Sequence, residues 1–211
     1  PGAHLGNNVS VGAYSIIGPS VVIGDDTIVD AHVIIKGPTE IGKGCSVFPF
    51  SSLGDAPQDL KYKGSKTRLV IGDGTIVREY VTINRGTEEG GGITSVGSTC
   101  FLMAYTHIAH DCTINDYVIM ANGATLAGHI HIDSYAIIGG LVAIHQFVNI
   151  GSYAFIGGCS AVSQDVPPFC LAAGNRARLY GLNLVGLRRH NFSPETIRNL
   201  KQAYKILFRS G

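Results

Sequence analysis

The sequence predicts an all-β solenoid, a parallel β-helix of hexapeptide repeats followed by a C-terminal α-helical segment. Three observations predict it. An aliphatic residue returns every six positions, as in Leu5, Val11, Ile17, Ile23, Val29, Ile35, Ile41, Val47 and Leu53. Four positions after each stands a small or β-branched residue, as Val21, Thr27, Val33, Thr39 and Cys45 show. Glycine often follows the aliphatic directly, as Gly12, Gly18, Gly24 and Gly42 do. A period of six fits neither a 3.6-residue helix nor the two-residue alternation of an isolated strand, so it counts one side of a larger coil. Each side is a short parallel strand with its aliphatic inward, closed by a tight corner. Three sides make a coil of about 18 residues, and coils stack at about 4.8 Å.

The solenoid is expected over residues 1–168, with two insertions. Its first run ends at Leu53, and Ile71, Val77 and Ile83 resume the period after a polar, turn-rich loop at about 55–70. A second loop, at about 84–95, contains Glu88-Glu89-Gly90-Gly91-Gly92 and slips the phase by one residue. The third run is Val96, Leu102, Ile108, Ile114, Met120, Leu126, Ile132, Ile138, Ile144, Ile150, Ile156 and Val162. Loops projecting from a rigid solenoid either carry function or are solvated insertions. After Val166-Pro167-Pro168 the hexads end, and 169–211 is read as the start of a C-terminal helical region. There Ser193 is a candidate N-cap, with Pro194 at the first helical position and Phe192 placed to staple against Ile197. Ile197, Leu200, Tyr204 and Leu207 form one apolar face, and the helix stops at Gly211. The chain begins mid-pattern without a methionine, so truncation is expected at both ends.

Composition narrows the class. With 45% hydrophobic residues the chain can bury a core, in a solenoid a thin column. Its 28 glycines are about twice the usual frequency, which suits a corner every six residues. A net charge of +1 without a basic run argues against a nucleic-acid partner. No apolar run is long enough for a transmembrane segment, and no signal peptide is evident. The five cysteines are Cys45, Cys100, Cys112, Cys159 and Cys170, three of them at the small inward position. An odd number so placed reads as buried reduced thiols and favours a cytoplasmic protein.

Four of the eight histidines fall between positions 107 and 145. The hexads starting at Ile108, Leu126 and Ile144 are 18 residues apart and so share one side of three consecutive coils. His107 and His110 flank the first, His129 belongs to the second and His145 to the third. All four sit beside the inward aliphatic position, so their rings should face out, within roughly 10 to 15 Å of one another. Such a group suits general acid–base catalysis or metal binding. A convex prism has no cleft of its own, so a site on its face needs a neighbouring copy, and closed three-fold packing supplies one.

The repeats resemble those of the hexapeptide acyltransferases, and that resemblance implies a left-handed coil. The segments Gln58-Asp59-Leu60-Lys61-Tyr62, His107-Ile108-Ala109-His110-Asp111-Cys112, Leu126-Ala127-Gly128-His129, His145-Gln146-Phe147 and Gln164-Asp165-Val166-Pro167-Pro168 are, more narrowly, similar to the acyl-carrier-protein-dependent UDP-N-acetylglucosamine O-acyltransferases of lipid A biosynthesis. The similarity runs from about residue 5 to the end. It implies a cytoplasmic homotrimer that moves an (R)-3-hydroxyacyl chain from acyl carrier protein to the glucosamine 3-hydroxyl of UDP-N-acetylglucosamine, the first step of lipid A biosynthesis. No metal or cofactor is implied beyond the carrier's phosphopantetheine arm.

The resemblance also implies roles. His110 would be the general base, Asp111 the group that orients it and the Gly128 N–H the oxyanion donor. His107, His129, His145 and Gln146 would position the substrates, and Asp59 and Lys61 would contact sugar and phosphates. Asn183 and Arg189 would recognise the nucleotide end and the pantetheine phosphate, an oxyanion that suits a guanidinium fork. Gly158 would leave the acyl groove open to longer chains. Val185 and His190 stand where this family usually carries a glutamate and a second arginine, at positions implied for uridine contacts and carrier docking. The alternatives are an N-acyltransferase acting on an amino nucleotide sugar, a zinc enzyme like the gamma-class carbonic anhydrases and a non-catalytic β-helix. The zinc ligand pair of the carbonic anhydrases is five residues apart, whereas His107 and His110 are three apart. A non-catalytic β-helix predicts threonine ladders, which are absent.

Overall fold

The architecture comes from a computed structural model that describes residues 2–209, with side chains described from Gly2 to Phe208. Consecutive short strands fall on three sheets in turn, and every third strand pairs in parallel. The first sheet runs from His4–Leu5 to Asn149–Ile150, the second from Ser10–Val11 to Arg178–Leu182, and the third from Ile16–Ile17 to Ala161–Val162. Register gives the period directly: Val11 pairs with Val29, and Ile108 with Leu126, 18 residues on.

The hexad aliphatics fill the prism. Leu53, Leu102, Ile108, Leu126 and Ile138 are fully buried, as are Thr27, Val33, Thr39 and Cys45 at the small inward position. Each large aliphatic removed from water contributes about 1.5–3 kcal/mol, so a repeat of two-residue strands is held by its column rather than by any one ladder. The insertions leave this column intact. Ile41 pairs with Ile71, 30 positions on, and Ile71 with Val96, 25 on, so 12 and 7 residues beyond the coil of 18 loop out while the register recovers.

The glycines do a different job from the one their frequency suggests. At most corners the left-handed backbone falls on the third residue after the aliphatic, which is Tyr14, His32, Phe50, Tyr80, Tyr105 and Tyr135 in examples with φ from 59° to 64°, and glycine at Gly44, Gly74 and Gly123. The repeat glycines are instead demanded by the next coil: a Cβ on Gly24 would lie 2.7 Å from the carbonyl carbon of Gly42.

Strand structure continues past Pro168, which corrects the boundary expected there. Cys170–Ala173 adds to the second sheet beside Phe155–Ile156, and Arg178–Leu182 folds back antiparallel on it. Cys170 and Ala172 are buried and cover the end of the column. Two helices follow, α1 (Leu184–Arg189) and α2 (Pro194–Arg209). The start of α2 is as the sequence indicates, with the Thr196 N–H donating to Ser193 Oγ at 3.0 Å and Ile197 and Tyr204 buried. Phe192 packs on Tyr153 and Phe169, at centroid distances of 5.0 and 5.9 Å. The stop expected at Gly211 lies outside the described residues. Among the described residues no helix is long and apolar enough to cross a membrane.

Candidate active site

The histidines divide into two groups, each placed by its position in the hexad. His107 precedes the inward Ile108 and therefore stands on the outer face of the third sheet, in line with Thr82, Thr125, Ala143 and Ala161. Its Nδ1 is 2.7 Å from Thr82 Oγ1, and burial holds its imidazole below the usual pKa range. His107 and His145 line a groove of about 880 Å³ together with Ala109, Ala127, Ala143, Ala161, Asn175 and Arg176. The width of this groove follows from small side chains: two outward positions of four successive coils are almost all alanine, serine or threonine.

His110 and His129 sit at the corner between the third and first sheets, edge to face with ring centroids 5.1 Å apart. His129 and Phe147, both at positive φ, stack at 4.6 Å on successive coils. His110 Nδ1 lies 2.7 Å from Asp111 Oδ2, and the Asp111 side chain is 1% exposed. Both oxygens of this carboxylate are hydrogen-bonded. Oδ1 accepts the Thr87 N–H at 2.7 Å, and Oδ2 accepts the Thr87 hydroxyl at 2.6 Å. The Asp111 N–H in turn donates to Thr94 Oγ1 at 2.8 Å. An ionised carboxylate only accepts, so Nδ1 of His110 donates to it and Nε2 keeps the lone pair. Gly128 packs under His110, and a Cβ there would lie 2.6 Å from Cε1 of the ring.

Ligating atoms of His110, Asp111 and His129 lie within 4.8 Å of one another, close enough in principle for a metal ion. Asp111 Oδ2 is at the same time hydrogen-bonded to His110 Nδ1 and to the Thr87 hydroxyl, an arrangement that suits an imidazole oriented by a carboxylate.

The other residues singled out in the sequence are distributed. Asp59 and Lys61 line a cleft between the two insertions, together with Thr87 and Glu89, and Lys61 Nζ is 3.8 Å from Glu89 Oε2. Thr87 thus joins this cleft to Asp111. Gln146 is exposed on the coil after Gly128. Asn183 and Arg189 line a separate pocket on the second sheet with Ile137, Phe155 and Leu171. The Asn183 carboxamide caps α1, accepting from the Gly186 N–H at 3.0 Å and donating to Tyr153 O at 3.0 Å. Val185 is exposed on α1, and His190 packs edge-on against Tyr135 and Tyr153. Gly158 lies at the corner between the second and third sheets, away from His110 within the protomer. Sequence reasoning missed Thr87, Thr94 and Arg176. Thr94 had a signal, since it occupies the small inward position two before Val96, whereas Thr87 and Arg176 lie in irregular segments without one.

Three-sided stacking with this site defines a hexapeptide-repeat transferase. The model for bacterial transferase hexapeptides (six repeats) matches residues 2–37 and 93–128, and that for UDP N-acetylglucosamine O-acyltransferase, domain 2, matches 165–211. An acyl-(acyl-carrier-protein):UDP-N-acetylglucosamine O-acyltransferase of Thermodesulfovibrio yellowstonii is 58% identical over 209 residues, 99% of this chain and 81% of the relative. The chain belongs to the acyl-carrier-protein-dependent UDP-N-acetylglucosamine O-acyltransferase family. The solved structure of the Acinetobacter baumannii enzyme overlays all of this chain and 82% of its own at a TM-score of 0.98 and 45% identity. The Arabidopsis UDP-N-acetylglucosamine acyltransferase does so over 100% and 81% at 0.88 and 38%. The fold is accordingly the left-handed parallel β-helix with short C-terminal helices.

Proposed function

We propose that the protein transfers an (R)-3-hydroxyacyl chain from acyl carrier protein to the glucosamine 3-hydroxyl of UDP-N-acetylglucosamine, with His110 as general base. The observation that carries the mechanism is the His110–Asp111 pair, with Nδ1 bound at 2.7 Å to a buried carboxylate and Nε2 left to act. His110 Nε2 takes the proton of the sugar 3-hydroxyl as that oxygen attacks the thioester carbonyl. The C–S bond then breaks, and the imidazolium returns the proton to the departing pantetheine thiolate. The thioester supplies the activated acyl group, so the step balances without a further cofactor.

Gly128 is the proposed oxyanion donor. It is buried, and among the described residues its N–H has no acceptor. The equivalent N–H two residues after the aliphatic is taken by a carboxylate of the next coil at Asn7, Lys43 and Ser98, with N···O distances of 2.7–2.8 Å. This corner geometry therefore accommodates an anionic oxygen, and at Gly128 the developing tetrahedral intermediate would supply it. Around the pair, His107, His129, His145 and Gln146 would hold the substrates, and the Asp59–Lys61 cleft would receive sugar and phosphates.

A homotrimer is supported by the two faces that the protomer leaves uncovered. The second sheet carries Ile28, Ile76, Phe101, Ile119, Ile137 and Phe155 in its outward column, interrupted by Ser46 and partly covered by α1 at Ile137 and Phe155, and the exposed part is an apolar strip of the kind that packs against a second copy. The groove on the third sheet is lined with small side chains that such a strip can meet. Asn183, Arg189 and Gly158, remote from His110 in one protomer, would reach it from another. Five free cysteines, four of them buried, suit a reducing cytoplasm.

The test is turnover of His110→Ala with acyl carrier protein charged with several chain lengths, against O- and N-acceptors. Loss of roughly 10² to 10⁴ in turnover with an intact oligomer is expected. Near-normal activity removes the mechanism, and preference for an amine acceptor removes the O-acyl assignment. Chelator should leave activity unchanged, whereas loss that zinc reverses would favour the metal reading.

A further inference from the structure

The second insertion, residues 85–92, has no part in the repeat and contributes nothing to the apolar column, yet Thr87 within it is 5% exposed. Polar loop residues stay at the surface unless their partners are under the loop. Thr87 has such a partner in the Asp111 carboxylate. Its N–H reaches Oδ1 at 2.7 Å and its hydroxyl reaches Oδ2 at 2.6 Å, a two-point grip on both oxygens. The hydroxyl is itself oriented. Thr87 Oγ1 accepts the Gly90 N–H at 3.1 Å, which leaves its own hydrogen to point at Asp111.

The loop is shaped around this grip. A Cβ on Gly90 would fall on the Asp111 carboxylate, and one on Gly86 would come within 2.8 Å of Asp111 Oδ1. The Gly92 N–H closes the loop onto Thr87 O at 2.7 Å. From the other side Thr94 Oγ1 accepts the Asp111 N–H, and Asp111 holds the left-handed conformation with φ 60°. Besides His110, Thr87 is the side chain that hydrogen-bonds the carboxylate, while His129 Nε2 stands farther off, 3.8 Å from Oδ2. Both functional contacts of Asp111, to Thr87 and to His110, converge on Oδ2, so a rotation of the carboxylate would break the two together.

We infer that Thr87 is a positioning residue of the acyl transfer, acting through Asp111 to fix the tautomer and orientation of His110. The inference rests on His110 being the base, as proposed above. Removing the hydroxyl leaves only the N–H grip on Oδ1, frees Oδ2 to swing, and weakens the bond that keeps the His110 proton on Nδ1. Although Thr87 also lines the Asp59–Lys61 cleft, its hydroxyl is turned to Asp111 and valine keeps its shape, so the loss should fall on kcat.

The experiment compares Thr87→Val, Thr87→Ser and His110→Ala, alone and as the double variant Thr87→Val with His110→Ala. Valine should lower kcat by about ten- to a hundredfold, the range found for groups that orient a functional ligand from outside. KM for UDP-N-acetylglucosamine and for acyl carrier protein should stay within about twofold. Serine, which keeps both donors, should restore most of kcat. The double variant should be no slower than His110→Ala, because residues acting as a unit are not additive. Wild-type kcat in Thr87→Val, or a serine variant as slow as the valine one, overturns the positioning role. If Thr87→Val does not fold, the serine variant still decides, and Gly90→Ala, which pushes on the same carboxylate, should reproduce the kcat loss. Full activity in His110→Ala would instead remove the base itself, an outcome distinct from failure at Thr87.

Discussion

Gly128 carries two demands at a single residue. As the proposed oxyanion donor it must keep its N–H free, and the space above its Cα is filled by the His110 ring, with Cε1 2.6 Å from where a Cβ would stand. Real side chains do not tolerate that separation, so Gly128→Ala must push the ring away from its site. We expect turnover to fall by at least about tenfold, with unchanged circular dichroism, because a misplacement near 1 Å is enough to cost about a hundredfold. Steady-state rates on folded protein check this, and wild-type turnover would show that the ring has room to spare. At this scale the sequence was informative where chemistry is carried by rare residue types. Histidines beside the inward aliphatic are conspicuous, and the resemblance carried His110, Asp111 and Gly128. Thr87 was not legible, because a threonine in a polar loop has no period, and its value appears only when Asp111 is seen beneath it.

The elements repay the same attention, since each corner places a residue in the left-handed region at a cost of roughly 1–2 kcal/mol for a non-glycine. Here the residues are often aromatic, and they stack. Tyr14, His32, Phe50, Tyr80 and Tyr105 form one ladder with centroids 4.8–5.1 Å apart, and Tyr117, Tyr135 and Tyr153 another at 4.7–4.8 Å. Each aromatic pair contributes about 0.5–1.5 kcal/mol beyond burial, comparable with the backbone penalty it accompanies. Hexads made the coil and its 18-residue period readable from Leu5 to Val162. The hairpin at 170–182 was hidden because a single added strand has no repeat to announce it, and α1, at six residues, is too short for helical periodicity. The cap of α2 was readable, and it can be tested. Ser193→Ala removes the oxygen that accepts the Thr196 N–H, so α2 should lose about 1 kcal/mol, seen as faster hydrogen exchange in its first turn. Exchange equal to wild type would mean that packing of Ile197 and Tyr204 alone holds the helix end.

At the scale of the whole molecule, the protomer is a column with the candidate site on its outside, and the proposed trimer would decide which surfaces meet. Gly158 stands at the corner between the second and third sheets, whereas His110 stands between the third and first, so one chain cannot bring both to a single acyl chain extended along one face. Two unlike faces of neighbouring protomers can. Gly158 is not required by its backbone, since its φ lies outside the left-handed region taken by the adjacent Cys159, at 58°. A Cβ there would meet only Gly140 O at 3.3 Å and Gly140 N at 3.8 Å, a contact that a shift of a few tenths of an ångström relieves. Glycine at this point therefore leaves outward space rather than closing a corner, and the space suits the methyl end of a long acyl chain. Gly158→Met should fold, assemble as a trimer in sedimentation and shift the preferred donor to shorter hydroxyacyl chains. Each methylene lost from contact is worth about 0.8 kcal/mol, close to a fourfold change in kcat/KM, so a side chain that displaces several methylenes moves the optimum decisively. Competition between donors of different length measures the shift. An unchanged order of preference in an active, trimeric Gly158→Met variant would leave Gly158 a corner residue and place the end of the acyl chain elsewhere.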